Sequence, residues 1–233
     1  MHLLLTDRLI CPRCGPEFGL ILLADRLENR RVIEGSLGCP NCRDRFSVER
    51  GFGDLRPPPR SSRDDAPDLG PPVSPPAMEV AALLGLTEGA GSVALIGDLA
   101  GHATELAGLV PGVEFIGIAP GLRGWEEGEG VSRMTAGASL PFSSGSLRGV
   151  GLYSGGELFK AGAPPIAGVS LPADVPLLVD VLPLAGELAR VVAPSGRIAV
   201  WGRVNKWEKA LSSEGLDVLA SEESAVVVTR TGP

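Results

Sequence analysis

Four cysteines, in Cys11-Pro-Arg-Cys14 and Cys39-Pro-Asn-Cys42, make up the whole thiol inventory of the chain. Thiolates act as nucleophiles, redox centres or soft metal ligands, and spacing decides among these. The two thiols of one C-x-x-C turn are poorly placed to bridge each other as a structural disulfide. Two such turns facing one another offer four sulfurs to one tetrahedral cation. Proline follows the first cysteine of each pair, and Gly15 follows the second cysteine of the first pair, as in a zinc knuckle. The pattern points to structural Zn2+ held by Cys11, Cys14, Cys39 and Cys42, with two disulfides or a redox dithiol as the alternatives. The zinc reading implies a reducing compartment, by default the cytoplasm.

No second constellation of reactive side chains stands out, so no catalytic residue is assigned. His102 is the only histidine besides His2; it opens an expected helix, where a structural role competes with that of a general base. Tyr153 closes an expected strand and is either a substrate contact or a packing residue. Trp125, Trp201 and Trp207 are too scattered to form a stacking platform. The acidic run from Trp125 to Glu129 reads as solvated surface.

The 233 residues suffice for one large unit and a small one. A 44% hydrophobic content and no run of eighteen apolar residues imply a globular chain without a membrane helix. The start, Met-His-Leu-Leu-Leu-Thr-Asp, lacks the basic region of a signal peptide. The net charge of −7 is unevenly distributed: residues 1–60 carry ten arginines against eight acids, whereas the remainder carries a balance of −9. The acidic part is a poor phosphate binder. Any contact with RNA is expected through the arginine-bearing cysteine region, and another protein is the more natural partner.

Three zones must position the cysteines and whatever else functions. Residues 1–56 are expected as a small β-rich zinc domain, with strands at Leu3–Leu5 and Gly19–Ala24 and a closing strand after Phe46. Residues 57–76, eight of them proline, read as an extended linker. From residue 77 to 233 helices and strands alternate. Helices are expected at Met78–Leu86, His102–Leu109, Asp174–Val192 (kinked or split at Pro183) and Asn205–Ser213 (capped by Asn205), with a weak one at Leu122–Glu127. Strands are expected at Ser92–Ile96, Val113–Ile118, Val131–Thr135, Leu147–Tyr153, Arg197–Trp201, Leu216–Leu219 and Ala225–Thr229. This alternation is an α/β fold with a mainly parallel sheet covered on both faces.

Residues 77–230 resemble the class I S-adenosylmethionine-dependent methyltransferases. Val93-Ala-Leu-Ile-Gly97-Asp-Leu-Ala-Gly101 stands where that family has its first glycine motif. Ser139-Leu-Pro-Phe through Val150 resembles the segment leading into the fourth strand, and Glu187–Val200 the helix, turn and fifth strand. Leu216–Thr229 matches the family's C-terminal hairpin. The N-terminal zone resembles the small zinc-ribbon subunit that activates several methyltransferases, and zinc ribbons also precede some bacterial ribosomal-RNA guanine methyltransferases. The resemblance implies a Rossmann-like, seven-stranded methyltransferase-type sheet with an N-terminal zinc ribbon.

By the same resemblance the cofactor positions are Gly97, Asp98, Leu99, Gly101, Ala119 and Gly137. In the family, a carboxylate near the end of the first strand orients the methionine amino group; here Leu95 occupies that place. The middle glycine of the turn is Leu99. The acid that grips the ribose hydroxyls is replaced after Ile118 by Ala119 and Pro120, and the acid that faces the adenine by Gly137. Asp98 is either a compensating contact or an ordinary turn residue. The expectation is a fold that keeps its packing motifs and has lost ordinary S-adenosylmethionine binding, serving as a structural or interaction subunit. The alternative is an active methyltransferase acting on RNA, protein or a small metabolite.

Overall fold

The computed structural model describes residues 1–58, 75–126, 128–137, 139–154 and 181–232. The N-terminal part begins with a short helical turn, α1 (Leu3–Thr6), followed by β1 (Ile10–Cys11), β2 (Gly15–Gly19), β3 (Ile21–Glu28), β4 (Arg31–Gly38), β5 (Arg45–Glu49) and β6 (Phe52–Leu55). Leu3–Leu5 is therefore helical rather than extended. His2 is bridged to Arg31 and Leu9 to Phe142, so the chain has to reverse between them. Thr6 Oγ1 donates to the carbonyl of Leu3 at 2.7 Å, closing the turn.

The alternating part supplies α2 (Ala77–Leu83), β7 (Gly91–Ile96), α3 (Ala103–Leu109), β8 (Val113–Ile118), β9 (Val131–Ala136), β10 (Leu147–Tyr153), α4 (Val181–Val191), β11 (Val192–Trp201), α5 (Val204–Ser213), β12 (Asp217–Ser221) and β13 (Ala225–Thr229). 3₁₀ turns occupy Gly97–His102 and Pro120–Gly124. The expected weak helix at Leu122–Glu127 is thus a 3₁₀ turn beginning at a proline, whose fixed φ suits a first helical position. Residues 174–180 of the expected long helix and most of the proline-rich zone lie outside the described residues; Val181–Val191 is helical through Pro183. Helix α5 begins after Arg203, which is left-handed at φ 48, so Asn205 lies inside the helix instead of capping it.

One sheet of eleven strands runs in the order β12-β13-β11-β10-β7-β8-β9-β6-β5-β4-β3. Strands β9, β8, β7, β10 and β11 are parallel, and the β12–β13 hairpin joins with β13 antiparallel to β11. These seven strands form the methyltransferase-type sheet expected from the sequence. The other four extend it: β6 pairs in parallel with β9, Phe52 opposite Arg133 and Leu55 opposite Ala136, and β5, β4 and β3 follow antiparallel. Strand β6 carries apolar Phe52 and Leu55 and is buried throughout, as an interior strand requires.

Each sheet face has its core. Helices α2 and α3 cover one, around Leu84, Leu95, Leu99, Leu106 and Phe115. Helices α4 and α5 cover the other, where Trp207, Leu188, Val150 and Phe142 share a single apolar cluster with Leu9, Cys11, Leu37, Cys39 and Phe46 of the cysteine region. The Ser139–Phe142 segment is held between these parts. Ile10 N–H donates to the Pro141 carbonyl at 3.0 Å and Ser143 N–H to that of Arg8 at 2.8 Å. From α4, Glu187 accepts the Leu140 amide at 2.8 Å, and Arg190 donates to the Leu140 and Phe142 carbonyls while chelating Glu187 at 2.8 Å.

Candidate metal centre and the crevice at the glycine turn

Strand β1 delivers Cys11 at its last residue and β2 begins one residue after Cys14; strand β4 delivers Cys39 just past Gly38. Each pair sits on a tight turn whose next residue is left-handed: Gly15 at φ 88 and Arg43 at φ 63. Glycine takes that conformation freely, whereas arginine does so at a cost. The second knuckle is closed from both sides, Arg43 N–H donating to the Cys39 carbonyl and Cys39 N–H to that of Asp44, each at 3.0 Å.

The four Sγ atoms lie within 4.8 Å of one another. Cys11 and Cys42 are 3.7 Å apart, and Cys14 and Cys39 are 3.8 Å apart. A tetrahedron with metal–sulfur bonds of about 2.3 Å has edges of about 3.8 Å, so the donor set fits a tetrahedral cation of that size. Cys11 and Cys39 are buried and Cys14 and Cys42 half-buried. Hydrogen bonds favour thiolates: Cys14 N–H reaches Cys11 Sγ and Asn41 Nδ2 reaches Cys14 Sγ, both at 3.4 Å. Burial raises the Cys11 thiol, and burial with neighbouring thiols pushes Cys42 up to about 12. At Cys39 burial is outweighed by the amides of Cys42 and Asn41, which bring the thiol down to about 7. Four thiols so close cannot all ionise alone, and a dication offsets that repulsion. Arg13 ties the two knuckles together through Asp44 at 3.1 Å.

The expected cofactor positions gather at the carboxyl ends of β7, β8 and β9, where Ile96 lies opposite Ile118 and Ile118 opposite Met134. Gly97, at φ 70, starts the 3₁₀ turn that carries Asp98, Leu99 and Gly101; Asp98 is half-buried. Leu99 is fully buried. A Cβ built on Gly151 of β10 would lie 3.2 Å from Leu95 and 3.3 Å from Leu99, so both leucines pack onto this glycine. Ala119 is packed with Ala100, Phe52 and Leu122, and Trp125 lies against the group. Leu122 lies so close over Gly117 that a Cβ there would come within 2.6 Å of its Cδ1 and 3.5 Å of Ala100. Gly137 faces the ring of Pro57, 3.1 Å from where a Cβ would stand. The structure therefore brings Gly97–Gly101 and Ala119 together, with Gly137 one strand further out.

Sequence reasoning missed the group that fixes Leu122. Asp54 on β6, 2% exposed, is chelated by Arg56 at 2.9 and 2.8 Å and receives Arg123 Nη2 at 3.1 Å. Arg123 also stacks on Phe52, 4.7 Å from the ring centroid, and pairs with Glu49 at 3.7 Å. Burial raises the Asp54 carboxyl, but the Arg56 and Arg123 guanidinium groups more than compensate and hold it below its ordinary value. Fully buried Arg133 donates to the carbonyls of Leu122 at 3.1 Å and Arg50 at 2.7 Å, and to that of Trp125. Asp54 and Arg123 are 69 residues apart, and no local pattern announces such a pair.

The remaining candidates have structural settings. His102 is buried, with Nδ1 3.6 Å from Glu105. Tyr153 is half-buried beside the α2–α3 core. Trp201 Nε1 donates to Glu79 at 2.8 Å, and Trp207 is fully buried.

No family model matches the chain, and no curated protein matches it. Among solved structures, a chain of the complex between the Haloferax volcanii Trm112 methyltransferase activator and the putative methyltransferase is similar at 14% identity and a TM-score of 0.48, covering 67% of this chain and 89% of that one. The antibiotic-resistance methyltransferase Kmr is similar at 16% identity and a TM-score of 0.42, covering 72% of this chain and 99% of its own. A putative S-adenosyl-L-methionine-dependent methyltransferase from Methanococcus maripaludis is similar at 11% identity and a TM-score of 0.45, covering 67% and 84%.

Proposed function

We propose that the chain is a zinc-stabilised protein of methyltransferase fold that does not bind the methyl donor and serves as a structural or interaction subunit of a larger assembly. One observation carries this reading: Leu122, in one cluster with Phe52, Ala100 and Ala119, packs directly over Gly117 at the ends of the first two parallel strands and fills the notch there. A nucleoside methyl donor needs that notch open and lined by hydrogen-bonding groups. Leu95, Ala119 and Gly137 supply no carboxylate. Each hydrogen bond to a charged group is worth about 1.5–3 kcal/mol, so losing two weakens binding by roughly two to four orders of magnitude.

The sulfur tetrahedron is the support for Zn2+, and four reduced thiols suit a cytoplasmic location. Support for an interaction role comes from β3, the edge strand on the cysteine side of the sheet, where Ile21, Leu23 and Leu27 are each about half exposed; such an edge offers main-chain groups and apolar surface to another chain. Protein suits this region better than RNA, because Arg13, Arg31 and Arg56 are already paired with Asp44, Glu114 and Asp54.

Titration calorimetry of the zinc-loaded chain with S-adenosylmethionine and S-adenosylhomocysteine tests the reading. No binding is expected with about 1 mM of either ligand; a dissociation constant in the micromolar range overturns it in favour of an active methyltransferase.

A further inference from the structure

A second concavity lies at the opposite, amino end of the parallel strands, where β7 and β10 begin. Its volume is about 280 Å3, and its polar lining comes from Arg8, Ser92, Ser146, Arg148 and Ser195. Arg8 is fixed on the wall by bonds from Nη1 to Ser92 Oγ at 3.1 Å and to the Ser146 carbonyl at 3.2 Å. Arg148 runs along Gly91, and its Nη2 donates to Thr87 Oγ1 at 3.1 Å. Glycines keep the walls in place. A Cβ on Gly196 would come within 2.8 Å of the Ala193 carbonyl oxygen and 2.9 Å of that of Arg148.

Among the described residues no carboxylate pairs with the arginines here. Arg31, Arg56, Arg123 and Arg190 each grip a carboxylate. Among the described residues Arg8 and Arg148 bond only to hydroxyl and carbonyl oxygens. Arg230, behind the Ala193–Gly196 loop, likewise donates to the carbonyls of Ala189 and Val192. In a chain of net charge −7, this is a localised positive field around a cavity rather than a general basic surface.

We propose that this cavity binds the phosphate group of a small phosphomonoester. Guanidinium forks and serine hydroxyls match phosphate oxygens. At about 280 Å3 the volume lies just below the usual range for small-molecule sites, enough for a phosphate and a short organic group. A polynucleotide is disfavoured: among the described residues no aromatic side chain lines the cavity, and the surrounding acidic chain repels an extended polyanion. The site lies at the far end of the strands from the glycine turn, so it does not depend on whether the methyl donor binds.

Titration of the zinc-loaded full chain with inorganic phosphate and with glycerol 3-phosphate, followed by calorimetry and phosphorus NMR, tests the proposal. Both should bind, glycerol 3-phosphate more tightly, and Arg8→Gln and Arg148→Gln should each weaken binding about tenfold or more. Arg8 also braces Ser92 and Ser146, so Arg148→Gln, at a half-buried side chain bonded only to Thr87 and Gly89, is the decisive variant if Arg8→Gln folds poorly. Binding no tighter than that of chloride, binding unaffected by Arg148→Gln, or preference for an RNA oligonucleotide over glycerol 3-phosphate overturns it.

Discussion

Cys39 is one of four cysteines whose sulfurs lie within 4.8 Å of one another, and Asp54 is a buried carboxylate gripped by two arginines. In the proposed zinc site, Cys39→Ser removes one of four ligands and should lower bound Zn2+ from one equivalent to less than about 0.2 at micromolar protein, read by metal analysis after dialysis; unchanged metal content would remove the assignment. Asp54 acts through its ionised form. Its folded pKa lies below the ordinary value of 3.8, and that of Glu187, held by Arg190, the Leu140 amide and Ser139 against its own burial, lies below 4.5. Groups with depressed pKa stabilise the fold fully above the unfolded value and lose that contribution as pH falls through the folded one. Urea melts should therefore show stability declining as pH drops below about 4, with a shallower decline for Asp54→Asn. At pH 7 this variant should be destabilised by about 3–5 kcal/mol, since it breaks a buried charge pair. How legible these residues were differs in kind. The cysteines declare themselves through spacing within each turn. Asp54 does not, because its value depends on Arg123, placed opposite it only by the pairing of β6 with β9.

Among the elements, the 3₁₀ turn Pro120–Gly124 matters most. It is held by Arg133 through the Leu122 carbonyl and by Arg123 through Asp54 and Phe52. Leu122→Ala should cost about 2–4 kcal/mol in chemical denaturation, as expected for a fully buried leucine, and a cost under about 0.5 kcal/mol would mean that the notch is not packed. The parallel strands were legible because their apolar runs are flanked by glycine and proline, and the hairpin because a short apolar stretch at Leu216–Leu219 is followed by the β-branched run Ala225–Thr229. Leu3–Thr6 and the start of α5 were not. In the first, two long-range bridges override the local apolar pattern; in the second, Arg203 adopts a left-handed conformation that glycine or asparagine normally signals. The Ser139–Phe142 and Glu187–Arg190 segments were read as separate motifs, and the structure gives their shared purpose: the helix residues chelate the backbone of the loop.

Across the whole molecule, the cysteine region and the alternating region are joined by one sheet and one core. Cys11 and Cys39 belong to the same apolar cluster as Phe142 and Trp207. Removing the proposed zinc with a chelator should therefore lower the melting temperature of a single transition that includes Trp207, instead of melting the cysteine region alone while tryptophan fluorescence stays native-like. Two well-separated calorimetric transitions would contradict this coupling. The sequence could not reveal the joining strand, because Phe52-Gly-Asp-Leu is only four residues long and its partner lies about eighty positions away. The same strand brings Phe52 into the cluster of Ala100, Ala119 and Leu122 and brings Asp54 to Arg123, so the extension of the sheet and the packing of the Pro120–Gly124 turn have one structural cause.

That cause is tested most directly by a crystal structure of the zinc-loaded chain grown with S-adenosylmethionine at about 5 mM, well above the micromolar affinity of an ordinary donor site. Leu122 is expected in contact with Gly117 and Ala100, with no donor between Gly97 and Ala119. Donor density over the glycine turn, with Leu122 displaced, would contradict it.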